Sequence, residues 1–128
     1  KKIETKYSKN SSGHYSAGVI SGNYVFVSGQ LSVDPETNKV PEGGIEAETL
    51  MSLKNVERVL TEVNLTKDNI IMCHVYIPDI KLWDSVNKVY KEYFGEHRPA
   101  RVVVPSNSLH GGCLVEIEAI AEIECKLD

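Results

Sequence analysis

Apolar and polar residues alternate strictly near the end of the chain, and this pattern predicts its clearest strand. From Leu114 onward the sequence steps with period two, which is typical of a strand with one buried face. Small and branched apolar residues form one face, and mainly carboxylates form the other. The apolar face comprises Val115, Ile117, Ala119, Ala121, Ile123 and Cys125, and the second face comprises Leu114, Glu116, Glu118, Ile120, Glu122 and Glu124.

The residue pattern in the first part of the chain predicts three more strands. A short one is expected between Ile3 and Tyr7, and a hairpin follows, in which residues 17–20 and 24–28 flank the turn at 21–23. Ser28-Gly29-Gln30 is expected to end the last of these strands. A glycine there indicates either a bulge or a place where the backbone approaches another group closely.

Two later segments have the periodicity of amphipathic helices. The first follows Gly43-Gly44 and has Asn64 as a suitable C-cap, with Glu48 among the polar residues outside its apolar face. The second follows Asp79, a good N-cap, and ends at Gly95. The predicted inward positions are Ile45, Thr49, Leu53, Val56, Leu60 and Val63 in the first helix, and Ile80, Trp83, Val86, Tyr90 and Phe94 in the second.

Strands are also predicted over Ile70 to Ile77 and over residues 99–104. The order β-β-β-α-β-α-β-β indicates an α+β fold, a single domain over residues 1–128. Two helices inserted between strands cover only one face of a sheet of about six strands. The carboxylate row then lies on the uncovered face. Because an uncovered sheet of this size often binds a partner, we expect an oligomer.

The composition of the chain further limits the classes of function that are expected. The chain has 128 residues, 41% of them hydrophobic, and a net charge of −4, which argues for a soluble globular protein and against a nucleic-acid partner. No apolar run reaches the ~18 residues of a membrane span, and no secretory leader is visible. Three scattered cysteines are expected to be inert buried thiols in a reducing cytosol. The four histidines lack metal-ligand spacing, so no metal is expected.

Arg101 and Glu116 are the candidates for chemistry. Carboxylates in one row repel each other. A cation from a neighbouring strand or subunit would relieve the repulsion, and Arg101 is the nearest candidate in sequence. If the two β segments pair, Arg101 and Glu116 reach one cleft, where a guanidinium binds a small anion and a carboxylate activates water. The alternative is a solvated sheet face with surface ion pairs of little energetic value. Spacing alone leaves both open.

Five blocks of sequence resemble the RidA-type reactive-intermediate deaminases, the YjgF family. The resemblance extends from about Gly13 to Ile123. It implies a chorismate-mutase-like fold, a homotrimer with clefts between subunits, and hydrolysis of enamines and imines such as 2-aminoacrylate to a 2-keto acid and ammonia without a cofactor. The blocks are Gly13-x-Tyr15-Ser16, Val25-Phe26-Val27-Ser28-Gly29-Gln30, Val86-Asn87-x-Val89-Tyr90, Pro99-Ala100-Arg101 and Val115-Glu116-Ile117-Glu118-Ala119-Ile120-Ala121.

The resemblance also implies roles for individual residues. Arg101 holds the substrate carboxylate and Glu116 positions or activates water. The cleft is lined by Tyr15 and Ser28 and by the backbone of Gly29 and Val103. Trp83 is expected to be helix core rather than a substrate platform.

The chain departs from the family pattern at three places. His14 replaces a proline, Val103 stands where a cysteine is common, and the loop His110-Gly111-Gly112 lacks the usual proline-containing turn. His14 and His110 are expected to be solvated loop residues.

Two other functions stay open at this point. One is a ligand-binding or regulatory module that uses the same cleft without turnover. The other is ribonuclease or translation-inhibitor activity, which the acidic balance of the chain disfavours.

Overall fold

The computed structural model describes residues 1–124, with the side chain of residue 10 excepted. Cys125, assigned to the apolar strand face from the sequence, lies outside the described residues. The regular elements are β1 (Lys2–Ile3), β2 (Gly18–Ser21), β3 (Tyr24–Leu31), α1 (Gly44–Thr61), β4 (Ile70–Ile77), α2 (Trp83–Phe94), β5 (Ala100–Pro105) and β6 (Glu116–Glu122).

The strands form one mixed sheet of six strands in the order β1-β2-β3-β6-β4-β5. All neighbours are antiparallel except β4 and β5, which are parallel and joined by α2. This is the predicted α+β architecture.

The core lies between the helices and one sheet face. In β6 the residues Ile117, Ala119 and Ala121 are buried while their neighbours are half-buried, as the alternation predicted. Ile123 differs: it follows the end of β6 and is 37% exposed. There its backbone N–H donates to the Asn23 carbonyl at the hairpin turn, so the strand periodicity no longer sets its direction.

The helices pack as their apolar positions predict, with three corrections. Glu48, expected outside the apolar face of α1, is buried at 5% exposure. Asp79 caps the short turn Ile80–Leu82 rather than α2 itself. Ile80 is therefore 54% exposed and Trp83, the first residue of α2, is 37% exposed. Neither side chain reaches the core.

The sheet face away from the helices is uncovered in the single chain. Register pairs place an apolar row across it through five strands. Phe26 in this row is 46% exposed. The row comprises Val19, Phe26, Ile120, Met72 and Ala100, and we call it the apolar row.

Candidate functional site

Glu116 lies against the backbone of Gly29 on the uncovered face. It opens β6 and pairs with Leu31, and β3 bulges between Val27 and Gln30. A Cβ on Gly29 would lie 2.7 Å from Glu116 Oε2. The glycine thus serves both purposes that the sequence left open, a bulge and a close approach. The expected strand end at Ser28-Gly29-Gln30 is wrong, because β3 continues through the bulge to Leu31.

The surroundings of Glu116 favour its protonated form. Burial raises the pKa of its carboxyl above the ordinary value, and the charge of Glu118, two residues along the same strand face, raises the pKa further. His110 acts in the opposite direction. His110 is exposed, as expected for a loop histidine, yet it belongs electrostatically to this site. A carboxyl with a raised pKa is suited to exchanging protons nearer neutral pH.

The partners of Glu118 are a tyrosine and a histidine from β4. Tyr76 donates its hydroxyl to Glu118 Oε1 over 2.5 Å, and His74 Nδ1 lies 3.6 Å from the same oxygen. The register explains both contacts, since His74 is directly opposite Glu118 and Tyr76 is opposite Glu116. Arg101, the cation expected to relieve the carboxylate row, is not on this face of the chain.

Arg101 lies on the helix side of the edge strand β5. It pairs with Cys73, which is fully buried beneath the helices. Because β4 separates β5 from β6, the two β segments do not pair as the shared-cleft hypothesis required. Within one chain Arg101 and Glu116 occupy opposite faces of the sheet.

The Arg101 guanidinium lies in a cage on α2. It donates to Asn87 Oδ1 over 3.0 Å, and its Cζ lies 4.7 Å from the Tyr90 ring centroid and 5.4 Å from that of Trp83. Helical spacing places these three residues on one face of α2. Trp83 is therefore a support for Arg101 and not helix core. In the sequence this cage was marked only by the block Val86-Asn87-x-Val89-Tyr90, which resembles the family. The block alone did not show that Asn87 and Tyr90 support Arg101.

Cys73, the register partner of Arg101, lies beneath this cage, of which Tyr90 is a part. Burial raises the pKa of the Cys73 thiol to about 11, and burial also raises the pKa of Tyr90. Cys73 and Cys113 are both buried free thiols, in agreement with the expectation of inert cysteines. Neutral groups beneath the guanidinium leave its charge available to an anion from outside.

Ser28, Tyr15 and Val103 are placed by local contacts. The Ser28 hydroxyl donates to the Ser16 carbonyl over 2.6 Å, which ties the bulge of β3 to the segment that carries Tyr15. Tyr15 is 60% exposed, and its ring lies over the backbone of Gly13. Val103 is opposite the buried Val75 and its side chain packs against the core. Because the Val103 side chain is used in this packing, only the backbone of Val103 is available to a ligand.

Residues 1–124 contain no group of three or more His, Cys, Asp or Glu arranged to hold a metal ion. Neither α1 nor α2 is long and apolar enough to cross a membrane.

Comparison with known proteins gives the family. The family model described as endoribonuclease L-PSP matches residues 5–123. The human 2-iminobutanoate/2-iminopropanoate deaminase is 32% identical to this chain, over 93% of this chain and 87% of its own length.

Solved structures agree with this assignment. The YjgF gene product of Escherichia coli is 34% identical with a TM-score of 0.89, covering 97% of this chain and 99% of its own. TdcF of E. coli, solved with bound serine, is 36% identical with a TM-score of 0.87, covering 95% and 98%. The chain therefore belongs to the endoribonuclease L-PSP family, the YjgF/RidA family that its sequence motifs resemble.

Proposed function

We propose that this protein hydrolyses 2-imino acids and their 2-enamine tautomers to 2-keto acids and ammonia. The observation that carries the proposal is the Glu116 carboxyl, half-buried against Gly29 with its pKa raised. Such a group accepts a proton from water and returns it to a leaving amine. The human relative's name describes the same reaction. The TdcF structure, which holds serine, supports a substrate that carries a carboxylate.

Arg101 supplies the anion site in this proposal. Asn87 and the two aromatic rings of the cage fix the guanidinium plane and use only part of its five N–H donors. The remaining donors are available for a bidentate pair with the substrate carboxylate. We expect Arg101→Lys to recover only part of the function, because an ammonium lacks the planar fork.

The cleft requires more than one copy of the chain. A small imino acid cannot contact Arg101 and Glu116 of one chain from opposite faces of its sheet, so we place it between Arg101 of one subunit and Glu116 of another. The apolar row gives the uncovered face a surface for that contact. We propose a homotrimer, the assembly that the family resemblance implies, with the substrate bound between subunits.

The reaction needs no external oxidant or reductant. Glu116 accepts a proton from water as the oxygen attacks C2 of the imine, and the C=N electron pair moves to the nitrogen. The protonated Glu116 returns this proton to the nitrogen, which gives a neutral carbinolamine. Glu116 then transfers the proton of the carbinolamine hydroxyl to the nitrogen. The C–N bond breaks, ammonia leaves with the bonding pair, and C2 becomes the carbonyl of the keto acid. Because the imine is already electrophilic, positioning of the anion and the water is the main contribution of the protein.

A coupled assay tests the reaction. A dehydratase generates 2-aminoacrylate, and keto-acid release is followed with and without the protein. Arg101→Ala leaves a carboxylate unpaired, which typically costs about 3–5 kcal/mol, or roughly two to four decades in kcat/KM. Glu116→Gln should lower turnover by about two decades or more while a keto acid still binds. Wild-type protein that binds keto acids without accelerating imine loss would establish the binding-module alternative instead.

Subunit complementation tests the location of the cleft. Arg101→Ala chains and Glu116→Gln chains are each expected to be inactive alone. When they are co-expressed, mixed oligomers regain clefts that contain one intact Arg101 and one intact Glu116, and activity returns. Failure of a purified mixed oligomer to recover turnover would show that both residues act from one chain.

The net charge and the free cysteines bear on two further parts of the proposal, the absence of an RNA ligand and the cytosolic location. The net charge of −4 and the carboxylates on β6 disfavour RNA as a ligand. The free thiols Cys73 and Cys113 fit the reducing cytosol in which we place this activity.

A further inference from the structure

Helix α1 carries a buried polar row on the side that faces the sheet. Glu48, Ser52 and Asn55 are 5%, 0% and 7% exposed, and their spacing places them along one line of the helix. Buried polar groups are retained only with hydrogen-bond partners. The partners of this row lie where β3 ends and β6 begins, at the end of the ladder that Glu116 opens.

Glu48 joins the two strand ends directly. Its Oε1 accepts a hydrogen bond from the Ser32 hydroxyl over 2.7 Å and from the Leu114 backbone N–H over 2.9 Å. Ser32 follows Leu31, the register partner of Glu116, and Leu114 lies two residues before Glu116. One carboxylate oxygen thus links the Ser32 side chain to the Leu114 backbone, at the end of the ladder just beyond the Leu31–Glu116 pair.

Asn55 strengthens the same junction from the next part of α1. Its Nδ2 donates to the Leu31 carbonyl over 3.0 Å and to the Val33 carbonyl over 2.8 Å. The β3 side therefore has attachments to both Glu48 and Asn55. On the β6 side, Leu114 follows a turn that contains Gly111 and Gly112, both at positive φ. Glu48 holds the Leu114 N–H where that turn meets the strand, and the Ser52 hydroxyl donates to the Val115 carbonyl over 3.5 Å.

We propose that Glu48 is a positioning residue that holds Glu116 in its half-buried place against Gly29. It acts through the Leu114 backbone and does not contact the substrate. The expected effect on turnover rests on the proposed deaminase function. The expected effect on the titration of Glu116 does not depend on that function. This role depends on the length of the Glu48 side chain, which lets its oxygen reach the Ser32 hydroxyl and the Leu114 N–H. It does not depend on the charge of Glu48.

Glu57 provides a matched control on the same helix. Its carboxylate also accepts from one hydroxyl and one backbone N–H, those of Tyr93 over 2.5 Å and Lys67 over 3.0 Å. These partners tie α1 to α2 and to the turn before β4, away from Glu116. Shortening either glutamate by one methylene therefore breaks an equivalent pair of bonds in two different places.

The experiment compares Glu48→Asp, Glu48→Gln and Glu57→Asp in the full-length protein. The Asp variant at position 48 keeps the charge but loses reach, and we expect kcat to fall about tenfold or more with KM within about twofold. The Gln variant keeps an acceptor oxygen at full reach, and Glu57→Asp leaves the Glu116 junction intact. Both should therefore keep kcat within about twofold of the wild type.

A readout independent of turnover is the Glu116 carboxyl itself. Its ¹³C resonance, identified by its loss in Glu116→Gln, is titrated in each variant. In Glu48→Asp a loosened Glu116 becomes more hydrated, and its pKa should fall towards the ordinary value. Glu48→Gln and Glu57→Asp should leave the titration unchanged.

The outcomes separate the two proposals. Equal changes in Glu48→Asp and Glu57→Asp, or a Glu48→Gln variant as impaired as Glu48→Asp, would overturn the positioning role. If the wild type does not accelerate imine loss, the deaminase proposal fails. The titration of Glu116 then still decides the role of Glu48.

Discussion

Gly29→Ala is the substitution that most directly tests the arrangement of Glu116. The added Cβ would lie 2.7 Å from Glu116 Oε2 and 3.1 Å from its Cδ, whereas ordinary contacts begin near 3.4 Å. The carboxylate must therefore withdraw by about 0.7 Å. Because a misplacement of about 1 Å costs up to 100-fold, we expect kcat/KM to fall roughly 10- to 100-fold.

The stability cost of Gly29→Ala should be small. The obstructing atoms belong to the end of a flexible side chain, so the overpacking penalty lies near the lower bound of about 1 kcal/mol. Denaturant titration measures this cost, and the coupled assay measures activity per folded molecule. Loss of activity with little loss of stability is the expected combination.

Gly18→Ala is the matched control. Its Cβ meets Val59 Cγ1 at 3.1 Å and the Phe26 carbonyl oxygen at 3.2 Å, in the same sheet but away from Glu116. It should lower stability without changing turnover per folded molecule. If Gly29→Ala turns over like the wild type, the carboxylate does not act from its place against Gly29, and the proposed mechanism is wrong.

Three further predictions concern assembly, pH and dispensable residues. Phe26→Glu should convert the proposed trimer to monomers in light scattering and abolish the proposed turnover; a stable wild-type monomer at micromolar concentration would refute the trimer itself. Because the pKa of Glu116 is raised on folding, the free energy of unfolding should fall as pH rises from the ordinary to the raised pKa. Glu116→Gln should remove that decline in denaturant titrations at several pH values. His14→Ala and Cys113→Ala should each keep imine hydrolysis within a few-fold in the coupled assay, and a larger loss in a folded variant would reveal a missed participant.

The sequence predicted those features that depend on local periodicity. Alternation in β6 identified Ile117, Ala119 and Ala121 as buried and Glu116 as facing the other side, because adjacent strand residues point in opposite directions. The bulge at Gly29 was also foreseen as one of two alternatives. Both inferences needed only a few neighbouring residues.

Features that depend on distant pairing could not be predicted in this way. No local pattern states that β4 lies between β5 and β6, so Arg101 was expected beside Glu116 rather than on the opposite face. Glu48 has the composition of a surface position, and only the strand ends beneath α1 make its burial favourable. Trp83 has the spacing of a core residue, but the turn after Asp79 exposes the start of α2.

If the apolar row assembles the proposed trimer, the proposed activity depends on protein abundance. In the proposed trimer, an isolated chain holds half of a cleft, so it has no activity to lose or regulate. At concentrations below the dissociation constant, the assembled fraction rises with the square of the total concentration by mass action. Specific activity would then decline on dilution far more steeply than for a monomeric enzyme. In that range a twofold fall in synthesis would lower the assembled fraction about fourfold, without modification of a single residue of the site.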